Sequence, residues 1–310
     1  MDKSMVSILS NRQTKSMVEK VAAIILTACA IVSVIAVISI TVYMFISGTP
    51  ALFQVGITDI LFSSVWTPTA EVPSYGILYV ILTSIIGVFF AICIAVPIGI
   101  LTAINLAEIA KPKIRGVVKS AIELLAGIPS VVYGLLGILI INPFMYQLEL
   151  IIFKDSSTHQ FTGGSNLISA ILVLAIMILP TLINITETAL QTVPDHYRKS
   201  SLALGASQMQ TIFKVVLPAA KNGIMSAIVL GVGRAIGEAM AILLVAGNSV
   251  NLPLPFSSVR FLTTAIVSEM SYASGTHRDV LFTIGLVLFV FIICMNLILT
   301  FILKGGKDDG

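Results

Sequence analysis

Six stretches of this chain run for 20 residues or more almost without charge, and nothing else in the sequence restricts the fold as strongly. They lie at 21–46, within 75–106, at 124–147, 167–186, 223–247 and 280–303, and only the fifth carries charge, at Arg234 and Glu238. A helix needs about 20 apolar residues to cross a bilayer, and the hydrocarbon core admits only helices or closed barrels. The reading is an all-α integral membrane protein with six transmembrane helices. The first run far exceeds the 7–15 apolar residues of a signal peptide, so it is read as a retained helix. Pro97 and Gly99 are expected to bend or end the second span. Gly127, Pro129, Gly134 and Gly137 interrupt the third, and Pro180 lies inside the fourth.

Composition excludes the main alternatives. Of the 310 residues only 11% are charged, against roughly 25% in a soluble domain. An ordinary soluble enzyme and a disordered chain are therefore ruled out. A net charge of +3 is too small for a nucleic-acid footprint. Cys29, Cys93 and Cys294 lie far apart in apolar runs, without metal-ligand spacing, and read as small packed hydrophobes. His159, His196 and His277 fall singly in polar connections and read as solvated.

Lysine and arginine placement orients the bundle. One side collects 14 of them, in both tails and in the connections around Lys111, Arg198 and Lys214, while the other has only Lys154, Arg260 and Arg278. Both termini are therefore expected in the cytoplasm, as tails at 1–20 and 304–310. The connections at 47–74, 149–166 and 248–279 face outside. Trp66, with Pro68 and Pro73 nearby, reads as an interfacial anchor or a docking surface for an external partner.

Residues 191–220 form the most informative polar stretch. Pro194 and Asp195 offer a helix start, and Ser207 with Gln210 has capping-box spacing for a second helix. That second helix is expected to present Ile212, Val215 and Val216 and to end near Pro218. The loop reads as two short helices joined at Gly205.

The run Lys199-Ser200-Ser201-Leu202-Ala203-Leu204-Gly205, followed by Val215-Val216-Leu217-Pro218, resembles the cytoplasmic "EAA…G…I-LP" loop of ABC-importer permeases. The glycine and Leu-Pro positions match, while Lys199 stands for the family glutamate and Ser200 and Ser201 for its alanines. Two further runs are similar to phosphate-specific permeases: residues 125–134, around Pro129, Ser130 and Tyr133, and residues 231–240, around Arg234 and Glu238. Trp66-x-Pro68 and Tyr75-Gly76 look like the PstC rather than the PstA member of the pair. The resemblance implies a type I ABC-importer permease fold, with the permease core at 75–303, in a bacterial inner membrane. It implies coupling to the ATPase through Lys199, Ser200, Ser201, Leu202, Ala203, Gly205, Leu217 and Pro218. The implied partners are a PstA-type permease, two PstB-type ATPase subunits and a PstS-type phosphate-binding protein, besides membrane lipid. ATP and Mg are implied on the ATPase chains, with no cofactor on this one. The chain also has no G-x-x-x-x-G-K-[ST] loop of its own.

A charge at the middle of a span is unfavourable by about 2.5–3.5 kcal/mol, so Arg234 and Glu238 call for an explanation. Spaced i,i+4 on one helix they would share a face and reach each other. Ala227, Gly231, Gly237 and Ala241 are expected on that face. The pair is either a structural clasp or the edge of an anion path, with the arginine fork matching phosphate oxygens. Ser130 and Tyr133 join this candidate path beside the proline that breaks the third span. Asn184 and Glu187 read as interfacial, and Glu123 as the partner of Lys119. A secondary transporter or anion channel would use the same charges but predicts two related halves with broken helices, which the sequence lacks. A membrane enzyme would need a nucleophile–base or metal constellation, and none is evident.

Overall fold

The computed structural model describes residues 3–304. The chain opens with one continuous helix, α1 (Lys3–Gln54), so the first span is longer at both ends than its apolar run. Side chains such as Ile24, Val32 and Ile38 are more than half exposed around the helix, the pattern of a helix bathed in lipid. A short helix α2 (Ile57–Leu61) and a two-stranded antiparallel hairpin, β1 (Trp66–Thr67) with β2 (Ser74–Tyr75), lead to α3 (Leu78–Ile104). Pro97 and Gly99 do not end α3, which runs through both and closes in a π-helical turn, Asn105–Ile109. Neighbouring helices can compensate a proline inside a membrane span, which the sequence alone does not reveal.

The third crossing is broken as expected. An amphipathic helix α4 (Pro112–Ala126) stops at Gly127, and α5 (Ser130–Leu136) starts after Pro129. A π-helical turn, Gly137–Ile141, then joins α5 to α6 (Asn142–Ile152). The next helix, α7 (Leu167–Gln191), has the most buried residues of the described helices and packs along α3. Asn166 caps it by accepting from the Ser169 amide at 3.0 Å.

The polar loop folds as α8 (Asp195–Ala203), α9 (Gln208–Thr211), a π-helical turn Ile212–Val216, and α10 (Leu217–Ala219). The fifth crossing then departs from the single helix expected. It divides into α11 (Lys221–Gly237) and α12 (Met240–Val245), because Glu238 adopts an extended backbone with φ −73° and ψ 131°. A short helix α13 (Leu262–Glu269) folds against the last one, α14 (Gly275–Lys304). The tail read at 304–310 lies, beyond Lys304, outside the described residues. Among the described residues five helices are long and apolar enough to cross a membrane. A sixth crossing results if Gln208–Ala219 and Lys221–Gly237, bent by 69°, count as one.

Several polar residues read as solvated are instead built into the fold. His277 is buried and hydrogen-bonded to Glu269 at 2.7 Å. The same carboxylate accepts from Trp66 Nε1 and pairs with Arg260, so Trp66 pins the hairpin onto α13. His159 bonds the fully buried Glu149 at 2.8 Å and stacks on Phe153. Burial, with the nearby Glu269 charge second, pushes the Tyr272 phenol above its usual range. The three cysteines are exposed on the outside of the bundle, not packed within it.

Candidate functional site

The break in the fifth crossing organises the intramembrane site. Where α11 stops, Glu238 turns its carboxylate onto the next helix, and Oε1 accepts from the Ala241 amide at 2.9 Å. Its backbone carbonyl accepts from Thr263 Oγ1 of α13 at 2.6 Å. The first turn of a helix leaves its amides without intrahelical partners, so this carboxylate supplies one and also faces the positive end of the dipole.

Arg234 therefore does not clasp Glu238, and no ion pair joins them among the described residues. The i,i+4 argument fails because the helix ends between the two. Arg234 instead donates through Nη1 to Thr181 Oγ1 of α7 at 3.0 Å. Its other N–H donors have no partner among the described residues, and the side chain is only half-buried. Of the small residues expected on the Arg234 face, Gly231 packs against α7, the helix that Arg234 also meets. Ala227 and Gly231 are buried, and a Cβ on Gly231 would touch Leu182 of α7 at 3.2 Å. The open strip beside Arg234 is Gly233 and Gly237, where an added Cβ would meet nothing within 4 Å.

The two breaks lie side by side. A Cβ on Gly134 of α5 would come within 2.9 Å of the Ala241 Cα in α12, so only glycine allows this approach. Tyr133 bridges the α4–α5 break by donating to the Leu125 carbonyl at 2.7 Å. A phenol has one O–H donor, and here it adds to the Ile128 amide, from which the Leu125 carbonyl already accepts at 3.2 Å. Ser130 begins α5, half-buried, and its hydroxyl has no partner among the described residues. Arg234, Thr181, Ser130 and the Glu238 turn are among the polar groups that the two broken helices and α7 contribute.

The loop at 191–220 has the local chemistry its sequence announces. Ser207 and Gln210 form a reciprocal capping box. Gly205 joins the helices at φ +86°, a left-handed conformation that favours glycine. Lys199, Ser200, Leu202 and Ala203 are exposed, as is Pro218, whereas Ser201 bonds Thr211 at 2.9 Å and Leu217 is half-buried. Ile212 and Val216, the apolar residues expected on the second helix, are buried and root the loop in the core. The exposed apolar groups are Leu202, Leu204, Met209 and Phe213, and Leu204 is 90% exposed.

Two carboxylates beside this loop, Glu187 buried and Glu108 partly so, take part in ion pairs that no local spacing rule reveals. Glu187, read as interfacial, is buried in the protein and bound by Arg115 at 2.9 Å, Gln191 at 2.7 Å and Lys119 at 3.4 Å. Lys119 thus pairs with Glu187, and Glu123 has no ion pair among the described residues. Glu108 pairs with Arg198 at 2.6 Å, and that hydrogen bond raises the arginine pKa. Among the described residues no group of three or more His, Cys, Asp or Glu side chains is placed to hold a metal ion.

Residues 95–305 match the family described as "Binding-protein-dependent transport system inner membrane component". The chain is 39% identical over 288 residues to the "Probable ABC transporter permease protein YqgH" of Bacillus subtilis (strain 168), covering 91% of this chain and 90% of that protein. It is 38% identical over 235 residues to the "Phosphate transport system permease protein PstC" of Pasteurella multocida (strain Pm70), covering 73% of each. Among solved structures, a chain of the inward-facing MetNI methionine ABC transporter, in its native crystal form, superposes with a TM-score of 0.52 at 21% identity. That match covers 74% of this chain and 94% of the other, and it speaks to the fold alone.

Proposed function

The chain belongs to the binding-protein-dependent transport system inner membrane components, and from that membership we propose that it is the PstC-type permease of an ATP-driven inorganic phosphate importer. It is a multi-pass inner-membrane subunit that catalyses no hydrolysis itself. ATP and its magnesium ion are bound by two separate PstB-type ATPase subunits, a PstA-type permease supplies the other half of the path, and a PstS-type protein delivers phosphate outside.

One observation carries the path assignment. Arg234 is a half-buried arginine in a membrane-crossing helix whose guanidinium has N–H donors left over after Thr181. A permanently charged planar fork with unused donors suits a tetrahedral oxyanion. Holding the fork on Thr181 instead of on a carboxylate leaves its positive charge uncancelled by an ion pair. Glu238 shapes the break and Ser130 adds a free hydroxyl, while Tyr133 holds the α5 break in place. Coupling is assigned to the exposed surface of α8 and α9, including Lys199, Ser200, Leu202 and Ala203. Gly205 sets the angle between those helices, and Ser201, Leu217 and Pro218 fix the loop. The lysine and arginine distribution supports placing this loop and both termini in the cytoplasm.

Uptake of labelled phosphate into proteoliposomes holding the full complex tests the reading. Uptake should require ATP and the binding protein, and Arg234→Gln should abolish it without loss of subunits. ATP-independent uptake would favour a secondary carrier instead.

A further inference from the structure

We infer that Arg198 is a positioning residue that locks the coupling loop to the cytoplasmic ends of α3 and α7, so that loop and helices move as one body. The inference rests on the coupling role proposed above and adds the residue that transmits the motion.

A guanidinium has five N–H donors, and all five of Arg198 are matched. Nε donates to Glu108 Oε2 at 3.1 Å and Nη2 to Glu108 Oε1 at 2.6 Å, a bidentate pair. Nη2 also donates to the Leu190 carbonyl at 2.9 Å, and Nη1 to the Val193 carbonyl at 2.7 Å. The remaining donor faces Asp195 Oδ1 at 3.5 Å. Leu190 lies in the last turn of α7, where its carbonyl also accepts from the Val193 amide at 3.3 Å and the dipole favours a cation. Glu108 belongs to the π-helical turn that ends α3, and its own carbonyl accepts from Gln208 of α9 at 3.2 Å. Both short helices of the loop are thus fastened to Glu108, one through its side chain and one through its backbone.

The clamp is sheltered, with side-chain exposures of 20% for Arg198 and 9% for Glu108, so water competes for it only partly. It also lies on a short mechanical route. Leu190, whose carbonyl Arg198 holds, and Thr181, which holds Arg234, stand on one uninterrupted helix. Nine residues at 1.5 Å rise separate them by about 13 Å. A push on α8 therefore reaches the Arg234 anchor through rigid elements. A lysine has three donors and no fork, and cannot reproduce the lock.

The test uses the full complex. Spin labels are placed at His196 in α8 and Thr188 in α7, both exposed, with Cys29, Cys93 and Cys294 changed to serine. The distance should be single and unchanged between nucleotide-free and ATP-trapped states. In Arg198→Gln it should broaden or shift with nucleotide. Uptake per ATP hydrolysed should fall by about tenfold or more while the ATPase subunits stay bound. Glu108→Gln, which keeps the carbonyl ties, should show a milder form of both effects, and the exchange Arg198→Glu with Glu108→Arg should recover part of the coupling. An Arg198→Gln distance as narrow and nucleotide-independent as that of the parent would overturn the clamp, and so would unchanged uptake per ATP. The distance readout needs no substrate, so a failure of the phosphate assignment would appear in uptake by the parent complex and leave the clamp separately decided.

Discussion

Arg234 donates to Thr181 Oγ1 over 3.0 Å, which ties the last turn of α11 to α7, the helix that packs along α3. The contact fixes one edge of the guanidinium and leaves the other open. Removing the acceptor alone should therefore loosen the fork without removing its charge. Thr181→Val is expected to raise the KM for uptake several-fold with the complex intact, and Thr181→Ser to behave like the parent. Equal kinetics for Val and Ser would show that the anchor plays no part in positioning.

Replacing Arg234 itself separates charge from geometry. Arg234→Lys keeps the charge and loses the planar fork, and a small residual uptake is expected. Arg234→Gln should reduce uptake to background, and so should the double variant with Glu238→Gln. A clasp would predict recovery in the double variant, because no lone buried charge would remain. Near-normal transport by that variant would remove Arg234 from the anion path.

Much of this architecture was legible in the sequence because it rests on local rules. Charge-free runs mark the spans, Gly127 and Pro129 mark the break before α5, and the Ser207–Gln210 spacing marks the start of α9. What escaped depends on contacts distant in sequence. Pro97 does not end α3: it is exposed, while two residues on, Gly99 meets Leu182 of α7. The break at Glu238 carries no proline, and its support comes from Thr263, 25 residues on. An i,i+4 pairing presumes a continuous helix, so the same omission produced the false Arg234–Glu238 clasp. Glu108 and Arg198 are 90 residues apart, and no spacing rule joins them.

Glu238 as a cap makes a prediction different from Glu238 as a counter-ion. Its Oε1 accepts from Ala241, and an amide side chain retains that acceptor. Glu238→Gln should keep the thermal stability of the complex near that of the parent. Glu238→Ala should lose about 1 kcal/mol, read as a lower unfolding midpoint in detergent. Indistinguishable midpoints for Gln and Ala would show that the cap contributes nothing.

The orientation is testable by labelling in intact cells with an impermeant thiol reagent. Cysteines at Lys113 and Lys214 should stay unlabelled until the cells are opened, and one at Thr69 should label at once. All three positions are exposed, so burial does not mimic sidedness. Thr211 would be a poor reporter, since it is 3% exposed and bonded to Ser201. The reverse labelling pattern would invert the topology and place the α8–α9 surface outside.

Gly205 offers the sharpest test of the loop, because its requirement is conformational and not steric. An added Cβ would meet nothing within 4 Å, so the bulk of a side chain is not the obstacle, but the backbone sits at φ +86°. Holding an ordinary residue there costs about 1–2 kcal/mol, and asparagine tolerates it better than most. Transport should follow that conformational order, with Gly205→Asn close to the parent, Gly205→Ala reduced and Gly205→Val lowest, since a β-branched residue is least at home in this region. Insertion should survive in all three, because the residue lies outside every span. If strain at Gly205 changes the angle between α8 and α9, ATP hydrolysis should continue while uptake per ATP falls in the same order. Should Asn transport no better than Val, the left-handed backbone would not be what the loop needs. Bulk facing the ATPase would then be the explanation to pursue.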